Sequence, residues 1–340
     1  MSERSPYFLI SGKGRSGSNR LLDILDVSRH SACRSEVNEI PGSAFFGIGG
    51  TLFPQDLQTG QVAALREAIA SAAAHRSERD RLSQTDKIYL NRLSTPILRG
   101  LGSARGRRVL RLARLLEDTR EWRLPALVLD RAALSKTAVV LKLNSCPAWA
   151  AALSEADGNC HIIHNLRDPY EYLQSWYNRF IGQGVGAASF TANFDDVPRL
   201  FAHFGRDDAA RVKEPTEANI VEVELWRWRY INETLHALDD RTGRYLLVRY
   251  ADIERDPVGA ARRVYDFAKL PFEGREESRI RALRNDLFSK PHATRLDAQM
   301  CKRLISLVLE DSPLMTLLRD DDGRVPVGRR SIVKTDPVQG

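Results

Sequence analysis

The stretch from Pro6 to Asp26 has the sequence Pro-Tyr-Phe-Leu-Ile-Ser-Gly-Lys-Gly-Arg-Ser-Gly-Ser-Asn-Arg-Leu-Leu-Asp-Ile-Leu-Asp. Its apolar start predicts a buried strand over residues 7–11, its Gly- and Ser-rich middle a tight turn, and its end an amphipathic helix over residues 18–26. Such a turn directs backbone N–H groups and the positive end of the helix dipole at one point. The stretch therefore predicts a site for a phosphate or sulfate group.

The turn differs from the loop of nucleoside-triphosphate enzymes in its last positions. Gly12 and Gly17 have the spacing of that loop, but Ser18-Asn19 stands where Lys-Ser or Lys-Thr would follow. Those two residues would contact the phosphates and the magnesium ion. The cation lies inside the turn instead, as Arg15. The turn thus indicates an anion site centred on an arginine.

Three later segments have the same strand pattern as residues 7–11. They are residues 138–143, 161–166 and 245–249, each a short apolar run. The first two are followed by helical stretches, at about residues 147–156 and 169–181, and a long amphipathic helix is predicted over residues 217–238. Strands alternating with helices predict an α/β fold, a P-loop-like doubly wound parallel sheet flanked by helices.

Three parts of the chain do not follow this alternation of strands and helices. Residues 50–135 are predicted to form a helical insertion, with helices at residues 61–74 and 107–122, inside a single domain over residues 1–340. Residues 99–123 are rich in arginine. This pattern is typical of a solvated helix face, and it also suits a patch that binds an anionic acceptor or a membrane surface. Residues 182–193 are predicted to form a mobile loop, and residues 320–340 a polar tail.

Composition and charge restrict the classes of partner. The net charge is +7, yet aromatic residues do not alternate with basic ones as in a nucleic-acid surface, so we expect no nucleic-acid partner. The four cysteines are scattered without metal-ligand spacing, which favours reduced thiols in a cytoplasmic protein and no metal site. The first residues resemble no signal peptide, and no apolar run is long enough to span a membrane.

The segment Arg15-Ser16-Gly17-Ser18-Asn19 resembles the 5′-phosphosulfate loop of sulfotransferases, which use 3′-phosphoadenosine 5′-phosphosulfate (PAPS) as donor. A second segment, His164-Asn-Leu-Arg-Asp-Pro169, resembles the 3′-phosphate motif of the same family, with Arg167 at a strand end and Ser175 eight residues later. The resemblance assigns donor binding to Gly14, Arg15, Ser16, Gly17, Ser18, Asn19, Arg20, Arg167 and Ser175. It implies that Arg167 forks onto the 3′-phosphate and that Ser175 donates to it.

The resemblance also implies catalytic residues. Lys142, 25 residues before Arg167, stands where the family has a lysine that reaches the sulfuryl group. The cytosolic steroid and phenol branch has a histidine base two residues later, but this chain has Asn144. Glu36, 21 residues after Arg15, lies at a place comparable to the catalytic glutamate of tyrosylprotein and some bacterial carbohydrate sulfotransferases. We therefore predict Glu36 as general base, with Glu39 in reserve, and Arg15 and Lys142 as stabilisers of the developing charge.

A third segment, Leu247 to Pro271, resembles the late strand and helix of the family, although Ala251 replaces a usual glutamate. We interpret it as architecture. Trp226 suits either a place beside the adenine or the core of its helix. A basic segment that closes over the 3′-phosphate in the family corresponds either to Ser289-Lys290 or to Arg329-Arg330.

Together these features predict PAPS-dependent transfer of a sulfuryl group to a hydroxyl, without a metal ion. A glutamate base and an arginine-rich insertion favour a carbohydrate or glycolipid acceptor, with possible peripheral membrane contact through the insertion. The oligomeric state is left open. Two alternatives are a P-loop nucleotide kinase, which would require Mg²⁺ and ATP, and a catalytically inactive protein that binds PAPS or adenosine 3′,5′-bisphosphate.

Overall fold

The computed structural model describes residues 6–40, 45, 52–58, 60–77, 86–91, 121–124, 126–181, 194–214, 216–239, 243–287 and 296–318. The strands are β1 (Tyr7–Gly12), β2 (Ser31–Arg34), β3 (His75–Ser77), β4 (Glu121–Arg123), β5 (Ala138–Asn144), β6 (Cys160–Leu166) and β7 (Tyr245–Arg249). The helices are α1 (Ser18–Asp26), α2 (Gln61–Ala72), α3 (Arg131–Leu134), α4 (Pro147–Ala156), α5 (Pro169–Arg179), α6 (Val197–His203), α7 (Glu217–His236), α8 (Tyr250–Arg255), α9 (Pro257–Ala268), α10 (Gly274–Leu287), α11 (Ala298–Leu309) and α12 (Leu314–Leu318).

Contacts divide the chain into two compact units. The first comprises residues 1–167 and 231–286, and the second comprises residues 168–230 and 287–340. The prediction of a single domain over residues 1–340 stays a prediction.

The first unit is built on a five-stranded sheet in the order β2-β5-β1-β6-β7, and every neighbouring pair is parallel. β1 lies in the centre, with Leu9 paired to Leu141 of β5 and to Ile162 of β6. Central strands of a parallel sheet are covered on both faces, which is why β1 is apolar at consecutive positions and buried throughout. The predicted P-loop-like α/β fold is confirmed.

The core of the first unit joins the sheet to two helices. Phe8, Ile10 and Val140 of the sheet belong to one buried cluster with residues of α1 and α9. The Tyr265 hydroxyl of α9 donates to the Ile24 carbonyl of α1 at 2.9 Å, so the two helices are also linked by a buried hydrogen bond. This packing holds α1 firmly behind the turn that follows β1.

The predicted insertion is described only in part. α2 agrees with the helix expected over residues 61–74, and β3 pairs with β4 in an antiparallel ladder. The helix expected over residues 107–122 is wrong at its end, because Trp122 pairs with Arg76 in that ladder. Residues 107–120, the remaining arginine-rich positions, the loop at 182–193 and the tail at 320–340 lie outside the described residues.

The second unit has a core around α7. Trp226 is 1% exposed and packs against Phe201 at 5.3 Å and Phe204 at 5.2 Å between ring centroids. Its indole N–H donates to Glu222 at 3.2 Å. Of the two interpretations of Trp226, the structure therefore supports the core residue. Within the described ranges, no helix has the length and apolarity that crossing a bilayer requires.

Candidate functional site at the carboxyl ends of β1, β5 and β6

The turn after β1 has the backbone shape of an anion loop. Arg15 and Gly17 have φ angles of 75° and 90°, in the left-handed region, and the Ser16 N–H donates to the Lys13 carbonyl at 3.1 Å. Gly17 is the N-cap of α1 and has no side-chain capping bond. A Cβ on Gly17 would lie 2.2 Å from the ring of Tyr250, so both the φ angle and the space require glycine here.

The end of β5 supports the same turn. The Ser145 N–H donates to the Gly12 carbonyl at 2.9 Å, and the Ser145 hydroxyl accepts from the Gly14 N–H at 3.3 Å. Ser145 itself has a φ angle of 55°. Left-handed backbone at a non-glycine residue costs about 1 kcal/mol and persists only where surrounding contacts enforce it.

Lys142 and Glu36 form an ion pair beside the turn. The Lys142 Nζ lies 2.7 Å from the Glu36 Oε1 and also donates to the Asn19 Oδ1. The Lys142 side chain is 1% exposed, whereas the Glu36 side chain is 25% exposed. A buried ammonium is stable only when it is paired and hydrogen-bonded, which the carboxylate and the amide oxygen provide. The carboxylate, in contrast, has access to solvent.

Asn144 connects the carboxylate to the first turn of α1. Its Nδ2 donates to the Glu36 Oε1 at 3.4 Å, and its Oδ1 accepts from the Ser18 hydroxyl at 3.0 Å. The residue that replaces the histidine of the cytosolic branch is therefore part of the same network. Glu36 follows β2 and has a φ angle of 49°, at the start of the short 3-10 turn Val37–Glu39.

Arg167, just after β6, approaches the turn from the other side. Its Nη1 donates to the Arg15 carbonyl at 3.1 Å, and its guanidinium lies 4.5 Å from the ring centroid of Tyr250. Burial raises the pKa of Tyr250, while the charges of Arg167 and Arg20 oppose that rise. The phenol stays protonated near neutral pH, and its ring provides a flat support for the guanidinium.

The structure thus brings Arg15, Asn19, Glu36, Lys142 and Arg167 into one region of the first unit. Ser175 lies on α5 in the second unit, where it is buried. Asp168 caps that helix by accepting from the Tyr170 and Glu171 N–H groups at 2.9 and 3.0 Å. Ser289-Lys290 and Arg329-Arg330 lie outside the described residues, and so does the side chain of Glu39.

Two polar residues of β6 belong to the motif quoted above but were given no role from the sequence. Asn165 is fully buried, and its Nδ2 donates to the carbonyl and the hydroxyl of Ser16 at 2.8 and 3.1 Å. His164 is also fully buried, between the Tyr245 hydroxyl at 2.6 Å and the Asn232 Oδ1 at 2.8 Å. Burial lowers the pKa of His164 to about 4. A polar pair inside an apolar strand was the signal that could have found both.

This fold and site define an α/β protein with a P-loop-like turn after its central strand, with Arg15 in the turn and with Arg167 and the Lys142–Glu36 pair beside it. A sequence profile described as "Sulfotransferase family" matches residues 6–274. The chain belongs to the sulfotransferase family.

Solved structures of sulfotransferases are also similar to this chain. Sulfotransferase STF9 from Mycobacterium avium has a TM-score of 0.43 at 15% identity, over 91% of this chain and 77% of that one. Sulfotransferase STF1 from Mycobacterium tuberculosis H37Rv has a TM-score of 0.43 at 13% identity, over 89% and 77%. The sulfotransferase domain of the Synechococcus PCC 7002 olefin synthase has a TM-score of 0.35 at 15% identity, over 92% and 98%. A search of curated protein sequences gave no match.

Proposed function

We propose that this protein transfers a sulfuryl group from PAPS to a hydroxyl acceptor, with Glu36 as general base. The observation that carries the proposal is the ion pair between Glu36 and Lys142 beside the first turn of α1. A buried cation and a solvent-accessible carboxylate meet next to a loop shaped for an anion. Sulfuryl transfer needs these parts, because charge must be neutralised on one side of sulfur while a proton is removed on the other.

Donor binding is assigned to the turn and to the ends of the neighbouring strands. The first N–H groups of a helix have no partner inside the helix, so the start of α1 suits the 5′-phosphosulfate group. The proposed donor set is Gly14, Arg15, Ser16, Gly17, Ser18, Asn19, Arg20, Arg167 and Ser175. In this set Arg167 binds the 3′-phosphate, with Ser175 as a further donor.

The proposed chemistry gives the two members of the ion pair different roles. Glu36 accepts the proton of the acceptor hydroxyl as the oxygen attacks sulfur. Lys142 and Arg15 stabilise the negative charge that develops on the oxygen leaving with adenosine 3′,5′-bisphosphate. Asn19 and Asn144 hold the ammonium and the carboxylate in place. No step requires a metal ion, because the leaving group is a stable anion.

The acceptor is proposed to be a carbohydrate or glycolipid hydroxyl. A glutamate base and the arginines of residues 99–123 support this class over a flat phenol. The same arginines suit peripheral contact with an anionic membrane surface. The scattered cysteines favour a cytoplasmic location; all four are buried and free of disulfides.

Donor recognition can be tested without knowing the acceptor. We expect adenosine 3′,5′-bisphosphate to raise the melting temperature in the absence of Mg²⁺, because a ligand that binds only the native state stabilises it. Turnover is then measured with ³⁵S-labelled PAPS against a panel of glycans, glycolipids and phenols. A panel with no labelled product, or a protein stabilised equally by ATP with Mg²⁺, would overturn the proposal.

A further inference from the structure

The end of β6 binds two consecutive carbonyl groups of the anion loop. Arg167 Nη1 donates to the Arg15 carbonyl at 3.1 Å, and Asn165 Nδ2 donates to the Ser16 carbonyl at 2.8 Å. Asn165 lies in β6 and Arg167 directly follows its last residue, so the two donors come from one short stretch of chain. The loop is therefore attached to this end of the sheet through two backbone carbonyls, and the Ser16 hydroxyl also accepts from Asn165 Nδ2 at 3.1 Å.

The orientation of the Asn165 amide is fixed by its partner. A backbone carbonyl can only accept a hydrogen bond, so the group facing Ser16 must be the NH₂ of the amide. Asn165 is 0% exposed and Ser16 is 1% exposed. Water therefore cannot replace the amide at the Ser16 carbonyl without a rearrangement of the loop.

The bond at the Ser16 carbonyl has a consequence for the next N–H group. In a trans peptide the C=O and the following N–H point in opposite directions. Because Asn165 holds the Ser16 carbonyl, the Gly17 N–H is directed away from β6. The Ser16 N–H does not share this role, because it donates to Lys13 inside the turn. Gly17 is the N-cap of α1, and the first N–H groups of a helix have no partner inside the helix and suit an anion.

We propose that Asn165 is a positioning residue that sets the Ser16–Gly17 peptide, so that the Gly17 N–H donates to the 5′-phosphate of an adenosine nucleotide. The inference rests on the proposed function, because it takes the donor to be a nucleotide with phosphates at both the 3′ and 5′ positions. It assigns Asn165 to the 5′-phosphate alone. Arg167, which contacts the neighbouring carbonyl, belongs to the 3′-phosphate.

Two ligands separate this role from a general contribution to folding. Adenosine 3′,5′-bisphosphate carries the 5′-phosphate, and adenosine 3′-monophosphate lacks it. Asn165→Leu keeps the size of the side chain and removes the donor. By isothermal titration calorimetry we expect the variant to bind the bisphosphate about 10- to 100-fold more weakly. This is the range for loss of one hydrogen bond to a charged group, here the bond from the Gly17 N–H to the 5′-phosphate. Its affinity for the monophosphate should stay within twofold of the wild type.

The matched control is Ser11→Ala. The Ser11 hydroxyl is fully buried and donates to the Leu143 carbonyl at 3.3 Å, so its removal deletes a bond between a side chain and the backbone that does not touch the loop. The control should keep the wild-type ratio of the two affinities. Equal weakening of both ligands in Asn165→Leu, or no weakening of either, overturns the role of Asn165.

A second variant and a wild-type measurement cover the case of a misfolded protein. Asn165→Ala removes the donor with less steric disturbance and should give the same selective loss. In the wild type, the amide proton signal of Gly17 should move downfield with the bisphosphate and stay in place with the monophosphate; an unmoved signal refutes the inference. A wild type that does not prefer the bisphosphate shows instead that the proposed function, and the inference with it, is wrong.

Discussion

Replacement of Glu36 by glutamine tests the chemistry most directly. Glu36→Gln keeps the length and polarity of the side chain but removes the proton acceptor. General-base assistance contributes about 10²- to 10⁴-fold, or roughly 3–5 kcal/mol of activation free energy, so turnover should fall by that factor. The affinity for adenosine 3′,5′-bisphosphate should change by less than about threefold, because the carboxylate is assigned to the acceptor side.

The stability of the variant follows from the ion pair. Lys142 is 1% exposed and loses its carboxylate partner, but it keeps the Asn19 Oδ1, and the glutamine Oε1 can still accept. We therefore expect a loss of about 1–2 kcal/mol in the free energy of unfolding, well short of the ~3–5 kcal/mol for an uncompensated buried charge. The variant should remain folded, and its melting curve checks this.

The assay is single-turnover transfer from ³⁵S-labelled PAPS to an acceptor found in the panel. Glu39→Gln is the matched control, since it makes the same substitution three residues later and should be nearly silent. A Glu36→Gln protein with wild-type turnover on a true acceptor would refute the role of Glu36. Equal losses in both variants would show that the effect comes from the local segment and not from one base.

Three further predictions concern the donor and the buried network. Arg167→Ala should weaken adenosine 3′,5′-bisphosphate binding by about 30- to 150-fold, equivalent to ~2–3 kcal/mol for a charge-assisted fork. The control is Arg244→Ala, which removes an arginine that donates to the Cys160 and Ser154 carbonyls and should leave the affinity for the bisphosphate, measured by calorimetry, unchanged. If Arg167→Ala binds the bisphosphate as tightly as the wild type, the assignment of Arg167 to the 3′-phosphate is wrong. Gly17→Ala places a methyl group 2.2 Å from the Tyr250 ring at a φ angle of 90°, so thermal melting should show a loss of about 1–3 kcal/mol and calorimetry a loss of donor affinity. Retention of both would contradict the described loop. His164 has a pKa of about 4 in the folded state against an ordinary 6.5, so the unfolded chain takes up its proton first as the pH falls. This group should therefore remove about 3 kcal/mol of stability between pH 7 and pH 4, measured by urea unfolding. His164→Gln should flatten that part of the pH profile, and a variant with the wild-type slope would show that another group is responsible.

Much of the fold was predictable from local pattern. The strand, turn and helix of residues 7–26 follow from an apolar run, two glycines and an amphipathic stretch, and their observed bounds, Tyr7–Gly12 and Ser18–Asp26, agree with the prediction. The strands around Lys142 and Arg167 were visible for the same reason. β2 was not predicted, because Ser31-Ala-Cys-Arg34 is short and lies at the sheet edge with little apolar pattern.

The candidate site was predictable as a set of residues and not as a geometry. Glu36 and Lys142 are 106 residues apart, and Asn19 and Lys142 are 123 apart. The sequence placed Lys142 near a strand end, Asn19 at the start of a helix and Glu36 beyond that helix, and the resemblance to the family supplied their roles. It did not show that the ammonium binds both partners, or that Asn144 bridges Glu36 to Ser18.

The sequence by itself determined where the backbone turns, which strands are buried and which residues carry charge at their ends. These properties depend on neighbours along the chain: hydrophobic period, glycine at left-handed positions, and proline or aspartate at helix starts. Only the tertiary structure decided that β5 and β6 lie on either side of β1, and so which side chains meet around the loop. Asn165 shows the reason, because its amide donates to a carbonyl 149 residues earlier, and no local pattern records the order of strands in a sheet.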